Sequence, residues 1–261
     1  MATAGAAVAG PFEDADAAYG RGDYATAMRR LFPQGLAEAQ HRFLAEGHYR
    51  LGVRHYFGHG VPQNYSEALN WWSRAANESH RSAQYELGLL YFTGRGVAQN
   101  YAEAAKWYRL AADQGLDRAQ LDLGALYESG RGVAQSYAEA LMWFRLAANQ
   151  GFDLAQFNLG FLYFTGRGVA QSSAEALRWW SLAANQGLAV AQFNLGILYE
   201  SGRGAAQSYA EALMWYRLAA IQGLDRARKL RDNLETQMAP EQIAEVQKLA
   251  RDWKPTKQPP R

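Results

Sequence analysis

The chain has 261 residues and a formal net charge of +2, with both signs interspersed, so no acidic or basic field argues for nucleic acid or an anionic membrane surface. It contains no cysteine, which removes disulfides, thiolate metal sites and cysteine nucleophiles together and leaves the redox compartment open. No run of 18 apolar residues occurs, so the sequence predicts no membrane span.

The opening MATAGAAVAGPFED has no basic n-region and no leucine-rich core, so it does not read as an intact secretory signal. Cytoplasm and periplasm both stay open. Residues 1–11 read as a flexible leader, and 12–46 as a degenerate repeat with capping helices. Within it, 12–19 and 24–32 predict a short helical pair across Gly20-Arg21-Gly22-Asp23, and Pro33-Gln34-Gly35 breaks the chain. Over 36–56 two arrangements fit: one long helix, or two helices broken at Gly47.

From residue 47 a pattern returns in register every 36 residues, giving copies at 47–82, 83–118, 119–154, 155–190 and 191–226. A period of this length marks a solenoid, whose units cannot bury their apolar faces alone and must stack. Each copy predicts two antiparallel helices, A and B. Asp117 and Asp153 have N-cap spacing at the start of helix A, a rule that Ala189 breaks. Ser129-Gly130-Arg131-Gly132 ends the helix. Helix B opens at Ser136-Tyr137-Ala138-Glu139, and Glu67, Glu103, Glu139, Glu175 and Glu211 stand where a capping-box side chain returns to the N-cap amide. Gly115, Gly151, Gly187 and Gly223 close it.

Helical period places Ala119, Leu123, Leu126 and Tyr127 on one core stripe of helix A. Gly52, Gly88, Gly124, Gly160 and Gly196 lie beside that stripe in mid-helix, each costing about 1 kcal/mol against alanine, which predicts close approach of helix B. Ala147-Ala148 and the row Trp71, Trp107, Trp143, Trp179 and Trp215 read as the matching surface of helix B, core rather than ligand cage. After residue 226 the pattern decays into a polar cap over 227–253, with a last helix opening at Pro240, and 254–261 is a basic, proline-rich tail expected to be flexible.

The row LGxLYxxGRGVAQxYAEAxxWxxxAAxQG, present at 123–151 and in its relatives, resembles the Sel1-like repeat, a cousin of the tetratricopeptide repeat. The closing MAPEQIAEVQKLARDW is similar to the terminal helix of proteobacterial Sel1 proteins, implying a bacterial source. The resemblance implies an all-α fold, an αα-superhelix (solenoid) of about five helix-turn-helix repeats with capping helices at both ends. It also implies an adaptor or scaffold role rather than one ligand. Some relatives carry disulfides, and the absence of cysteine places this chain outside them. A few have been linked to penicillin binding or β-lactamase activity.

That link makes an enzyme worth weighing. Near-identical repeats supply ladders of one residue, poor material for a unique catalytic constellation. No histidine follows His80 and no Ser-x-x-Lys motif occurs, so no catalytic residue is assigned and no cofactor is expected. His41, His48, His55, His59 and His80 crowd the N-terminal part. His48 and His55 share a helix face, so a zinc or nickel site is conceivable. They also simply replace residues of later copies, His48 a glutamine and His55 and His59 a tyrosine and an arginine, so no metal is assigned.

Binding has a better location. The third, seventh and tenth positions of each copy lie opposite the core stripe of helix A: Tyr49, Val53, Tyr56; Tyr85, Leu89, Phe92; Leu121, Ala125, Glu128; Phe157, Phe161, Phe164; and Phe193, Ile197, Glu200. A helix face that meets water should be polar, and this one is largely apolar. In tetratricopeptide relatives the equivalent positions line a concave groove, so the resemblance implies a site for a peptide or helix of a partner protein. Packing between neighbouring A helices explains the same row, and the sequence leaves both open. Phe92 and Phe164 alternate with Glu128 and Glu200, and Lys106 and Arg178 with Met142 and Met214, a 72-residue super-period. Arg95, Arg131, Arg167 and Arg203 form a further ladder between paired glycines. The expectation is a non-enzymatic interaction scaffold. A dedicated inhibitor or immunity protein, a structural subunit of a larger complex, or a penicillin-interacting protein are the alternatives.

Overall fold

The computed structural model describes residues 18, 20–23, 26–27 and 37–256, with side chains from 42 onward in the last stretch. These residues hold twelve helices and no strand. They are α1 (Ala37–Phe57), α2 (Tyr65–Asn77), α3 (Arg81–Thr93), α4 (Tyr101–Asp113), α5 (Asp117–Ser129), α6 (Tyr137–Asn149), α7 (Asp153–Thr165), α8 (Ser173–Asn185), α9 (Ala189–Ser201), α10 (Tyr209–Ile221), α11 (Asp225–Glu235) and α12 (Pro240–Asp252). The architecture is an all-α solenoid of helix hairpins. The chain divides into two compact units between Leu116 and Asp117. In the first, α1 packs on α2, α2 on α3 and α3 on α4. In the second, each helix from α5 to α10 packs on the next, and α12 lies on α10. The ambiguity at Gly47 resolves as one continuous helix, α1. The expected leader and most of the helical pair at 12–32 lie outside the described residues.

Three devices build each repeat. The first is the mid-helix glycine, whose missing Cβ admits a ring. A Cβ on Gly124 would stand 2.6 Å from Phe144 Cε1, and one on Gly160 2.6 Å from Trp180 Cδ1. The rings belong to Trp72, Tyr108, Phe144, Trp180 and Tyr216, one position after the tryptophan row that the sequence singles out. That row is core as well: Trp143, Trp179 and Trp215 are buried, while Trp71 and Trp107 are half-buried.

The second device is a buried amide pair absent from the sequence reading. Gln84, Gln120, Gln156 and Gln192 are buried on A helices. Gln156 Nε2 donates to Ala148 O at 3.2 Å, and its Oε1 accepts from Gln186 Nε2 at 2.9 Å. Gln84 and Gln192 repeat both bonds. A buried polar group is tolerated only when bonded, so Gln84, Gln156 and Gln192 each fix their own hairpin and the preceding one in a single register.

The third is the A–B turn. Gly94, Gly130, Gly166 and Gly202 have left-handed φ near +70°, and the second glycines Gly96, Gly168 and Gly204 meet the preceding repeat. A Cβ on Gly168 would lie 2.6 Å from the Tyr137 carbonyl. The glutamine that follows closes helix A: Gln135 and Gln171 donate to Glu128 O and Phe164 O at 2.8 Å.

Two expectations about caps change. Helix B starts as anticipated, with Ser136 Oγ accepting from Glu139 N at 3.2 Å and Asn100 Oδ1 from Ala102 N and Glu103 N. Its glutamate does not close a capping box, because the N-cap amide is taken across the turn, Ser136 N donating to Tyr127 O at 2.9 Å. Glu103 and Glu175 instead pair with Lys106 and Arg178. On helix A, Asp117 and Asp153 are first helical residues rather than N-caps, and Phe152 occupies the cap position without a side-chain bond. Phe152 and Leu188 pack into clusters between repeats, so the cap position carries an apolar plug. The aspartate moves one residue inward, still at the positive end of the helix.

The last repeat is covered by α11 and α12. Leu234 and Val246 cover Leu213 and Tyr216 of α10, and Arg217 pairs with Glu235. Beyond α12, Trp253 stands edge-on to Trp215 and Thr256 N donates to Asn185 O at 2.8 Å.

Candidate functional site

Nearly every residue of the outer row is half-buried; Ala125 alone is exposed. Most of these side chains lean on helix B of their own repeat, and some also on helix A of the next. Tyr49, Val53 and Tyr56 pack against Ala68, Trp72 and Leu87, and Tyr85 sits 5.5 Å from Tyr108. Leu89 is half-buried on α3, and Phe92 meets Tyr101 edge-on. In the second unit Leu121 lies against the Phe144 cluster. Phe157, Phe161 and Phe164 pack on Ala176, Trp180 and Leu198, and Phe193 and Ile197 on Leu213 and Tyr216. The row is therefore neither an open ridge nor closed core. One flank of each side chain seals the hairpin, and the other remains accessible.

The tenth position is the most committed to structure. Glu200 accepts from the Tyr216 hydroxyl at 2.6 Å, and burial together with that bond drives the phenol far above its ordinary range. Glu128 is held above the usual carboxylate range by burial, partly offset by the charge of Arg167. Phe164 lies tilted against Trp180, ring centroids 5.3 Å apart. The arginine ladder joins this position to the next repeat: Arg95 lies over the Tyr56 and Tyr65 rings, Arg167 over Tyr137 and Phe161, and Arg203 over Phe164 at 4.6 Å. These guanidiniums cover aromatic faces, a contact worth about 0.5–1 kcal/mol at an exposed site.

Beside the row the A helices carry residues that sequence reasoning passed over. Leu154 and Val190 are 41% and 38% exposed. Asn158 and Asn194 are half-buried, and neither side-chain amide bonds to any described residue. With Phe161 and Ile197 they form the sets Leu154, Asn158, Phe161 and Val190, Asn194, Ile197, spaced i, i+4, i+7 along one face. The recurrence of FNLG in only two copies was the signal.

The histidines do not gather. His48 stacks on Trp71 and faces Glu78 Oε2 at 3.4 Å, the place of the glutamine pair in later repeats. His59 stacks on Phe57. The described residues contain no group of three or more His, Cys, Asp or Glu suited to a metal, and the side chain of His41 lies outside them. His80 borders a cleft of about 460 Å³ with Glu46, Ser79 and Ser82. That set has the residue types of a Ser-His-Glu triad, but both ring nitrogens are occupied. Nδ1 accepts from Ala83 N at 3.1 Å, so Nε2 carries the proton and meets Glu46 Oε2 at 3.2 Å. Burial pushes the Glu46 carboxyl up, and its bonds to Arg50 and His80 outweigh this and hold it low. The site has no lone pair to activate a serine.

The hairpin period, the glycine-ring contact and the closing glutamines now meet a family pattern: a model for the Sel1 repeat matches residues 45–80, 81–116, 117–152, 153–188 and 189–224. The chain belongs to the Sel1 repeat family. A Sel1 repeat protein from Oxalobacter formigenes is 30% identical, with a TM-score of 0.71, over 96% of this chain and all of its own. A protective antigen of uropathogenic Escherichia coli, described as having an SLR fold, is 31% identical with a TM-score of 0.75. That match covers 93% of this chain, which spans about half, 53%, of the antigen's length. No curated protein matches. Sel1 repeat proteins generally act as protein-interaction scaffolds and are generally not enzymes. Among the described residues no helix is long and apolar enough to cross a membrane.

Proposed function

We propose that this Sel1 repeat protein is a non-enzymatic interaction scaffold that holds a peptide or helix segment of a partner protein on the outer row of its A helices. The observation that carries the reading is the half-burial of an apolar row whose inner flank already completes the hairpin core. Apolar surface left facing water at fixed register costs solvation, and a partner's side chains recover it. The third and seventh positions serve best, because the tenth is engaged by the hairpin and by the next turn. The occupied nitrogens of His80 favour a binding role over a hydrolytic one.

The test is a random twelve-residue peptide library panned against the full chain, followed by titration of an enriched peptide. Replacing Phe161 and Ile197 together by alanine is expected to weaken binding at least about tenfold, from loss of roughly 100 Å² of apolar contact. The helical circular dichroism of the variant should be unchanged at 25 °C. Enriched peptides that bind this variant as well as wild type, or no enrichment at all, would refute the reading.

A further inference from the structure

The cleft of about 460 Å³ beside His80 lies within the first unit, bordered by α1 and by the turn that joins α2 to α3. Two residues on it depart from the pattern that the later copies keep. Ser79 has φ +62°, in a position that those copies give to Gly115, Gly151, Gly187 and Gly223. A side chain in that left-handed conformation is strained against its own carbonyl. Arg81 is the first residue of α3, where the later copies carry Asp117, Asp153, Ala189 and Asp225. The positive end of a helix favours aspartate and repels a guanidinium, so this exchange is locally unfavourable. Arg42 reaches the same cleft from α1, and neither arginine has a hydrogen-bond or ion-pair partner among the described residues. The carboxylates that border the cleft are already engaged. Glu46 holds Arg50 at 2.6 Å and His80 at 3.2 Å, and Glu78 faces His48 at 3.4 Å. Two guanidiniums on different helices are thus left uncompensated at one cleft, and local preference given up there twice points to function.

We infer that this cleft binds a phosphate monoester, at a site separate from the row on which the scaffold reading rests. Arg42 and Arg81 hold the phosphate oxygens from two sides, and the hydroxyls of Ser79 and Ser82 donate to the same group. The phosphate lies at the start of α3, where its charge offsets the repulsion between Arg81 and the helix. Two guanidiniums match the charge of close to −2 that a phosphate monoester carries, which a single carboxylate does not. The cleft has the volume of a small-molecule site and more room than a bare phosphate fills. The organic part of the ester lies toward Tyr49, whose half-buried ring stacks on His80 at 4.7 Å.

Calorimetric titration of the full chain with phenyl phosphate, inorganic phosphate and benzoate tests this. Phenyl phosphate should bind with a Kd below about 1 mM, inorganic phosphate less tightly, and benzoate at least about tenfold less tightly. Arg42→Ala and Arg81→Asp should each weaken phenyl phosphate at least about tenfold, and Ser79→Gly about threefold. Arg81→Asp and Ser79→Gly install residues that the later copies carry, so both should melt at or above the wild-type temperature. Phe161→Ala/Ile197→Ala should bind phenyl phosphate like wild type, so failure of the scaffold reading leaves this result untouched. Absence of saturable binding, affinity unchanged in the two arginine variants, or benzoate bound as tightly as phenyl phosphate would each overturn the inference. A lower melting point in Arg81→Asp and Ser79→Gly would make these residues structural and overturn it as well.

Discussion

Glu128 shows how a single side chain can sit between two roles. The sequence marks it as the acidic member of an alternating row, and the structure half-buries it beside Arg167. Burial favours the protonated carboxyl, with the arginine only partly offsetting it, so the folded chain holds this proton more tightly than the unfolded chain. Stability from a raised carboxyl is present at low pH and is lost as pH rises through the folded value. Glu128→Gln should therefore raise the thermal midpoint at pH 7, and the gain should disappear as pH falls below about 4.5, the ordinary glutamate value. Melting curves at pH 3.5, 5 and 7 check this; an equal gain at every pH would assign the effect to packing instead. What could be read at this scale was residue type and period. The buried glutamines escaped because a lone polar residue in a helix looks solvent-facing until its partner, thirty residues away at Gln186, is in place.

At the scale of the element, the helix hairpin is decided by glycine against ring. Gly124 is legible as a costly residue that needs close approach of helix B, and the group that approaches is the Phe144 ring, beside the Trp143 and Ala147-Ala148 that the sequence points to. Ala147 and Ala148 are buried elsewhere, against Ala155 and Leu159. Gly124→Ala should destabilise the protein by about 1–3 kcal/mol, since a Cβ 2.6 Å from a buried ring forces α5 and α6 apart. Adding Phe144→Leu should recover part of that loss, and chemical denaturation of the two single variants and the pair measures the coupling. Additive losses would mean that the contact does not set the hairpin. Helix ends were read nearly to the residue because glycine and asparagine mark them. The start of helix A was placed one residue late, since a cap position filled by Phe152 or Leu188 carries no polar signal.

For the whole molecule, the repeat period made the fold class and the number of units readable from sequence, because 36-residue self-similarity leaves few other ways to bury five apolar faces. The site was readable only in part. The outer row stood out as an apolar face, but the sequence could not show that its side chains are half-buried, one flank sealing the hairpin and the other accessible. Nor could it show which residues beside that face stay exposed, Leu154 and Val190 among them. Both depend on what lies across from a residue, which repeat identity hides by making every copy look equivalent. The central claim is that the A helices, rather than the B helices, receive the partner. Hydrogen–deuterium exchange of the full chain with and without a saturating enriched peptide tests it most directly. Slowed exchange on α7 and α9, with α8 and α10 unchanged, is the expected result; protection confined to α6, α8 and α10 would contradict it.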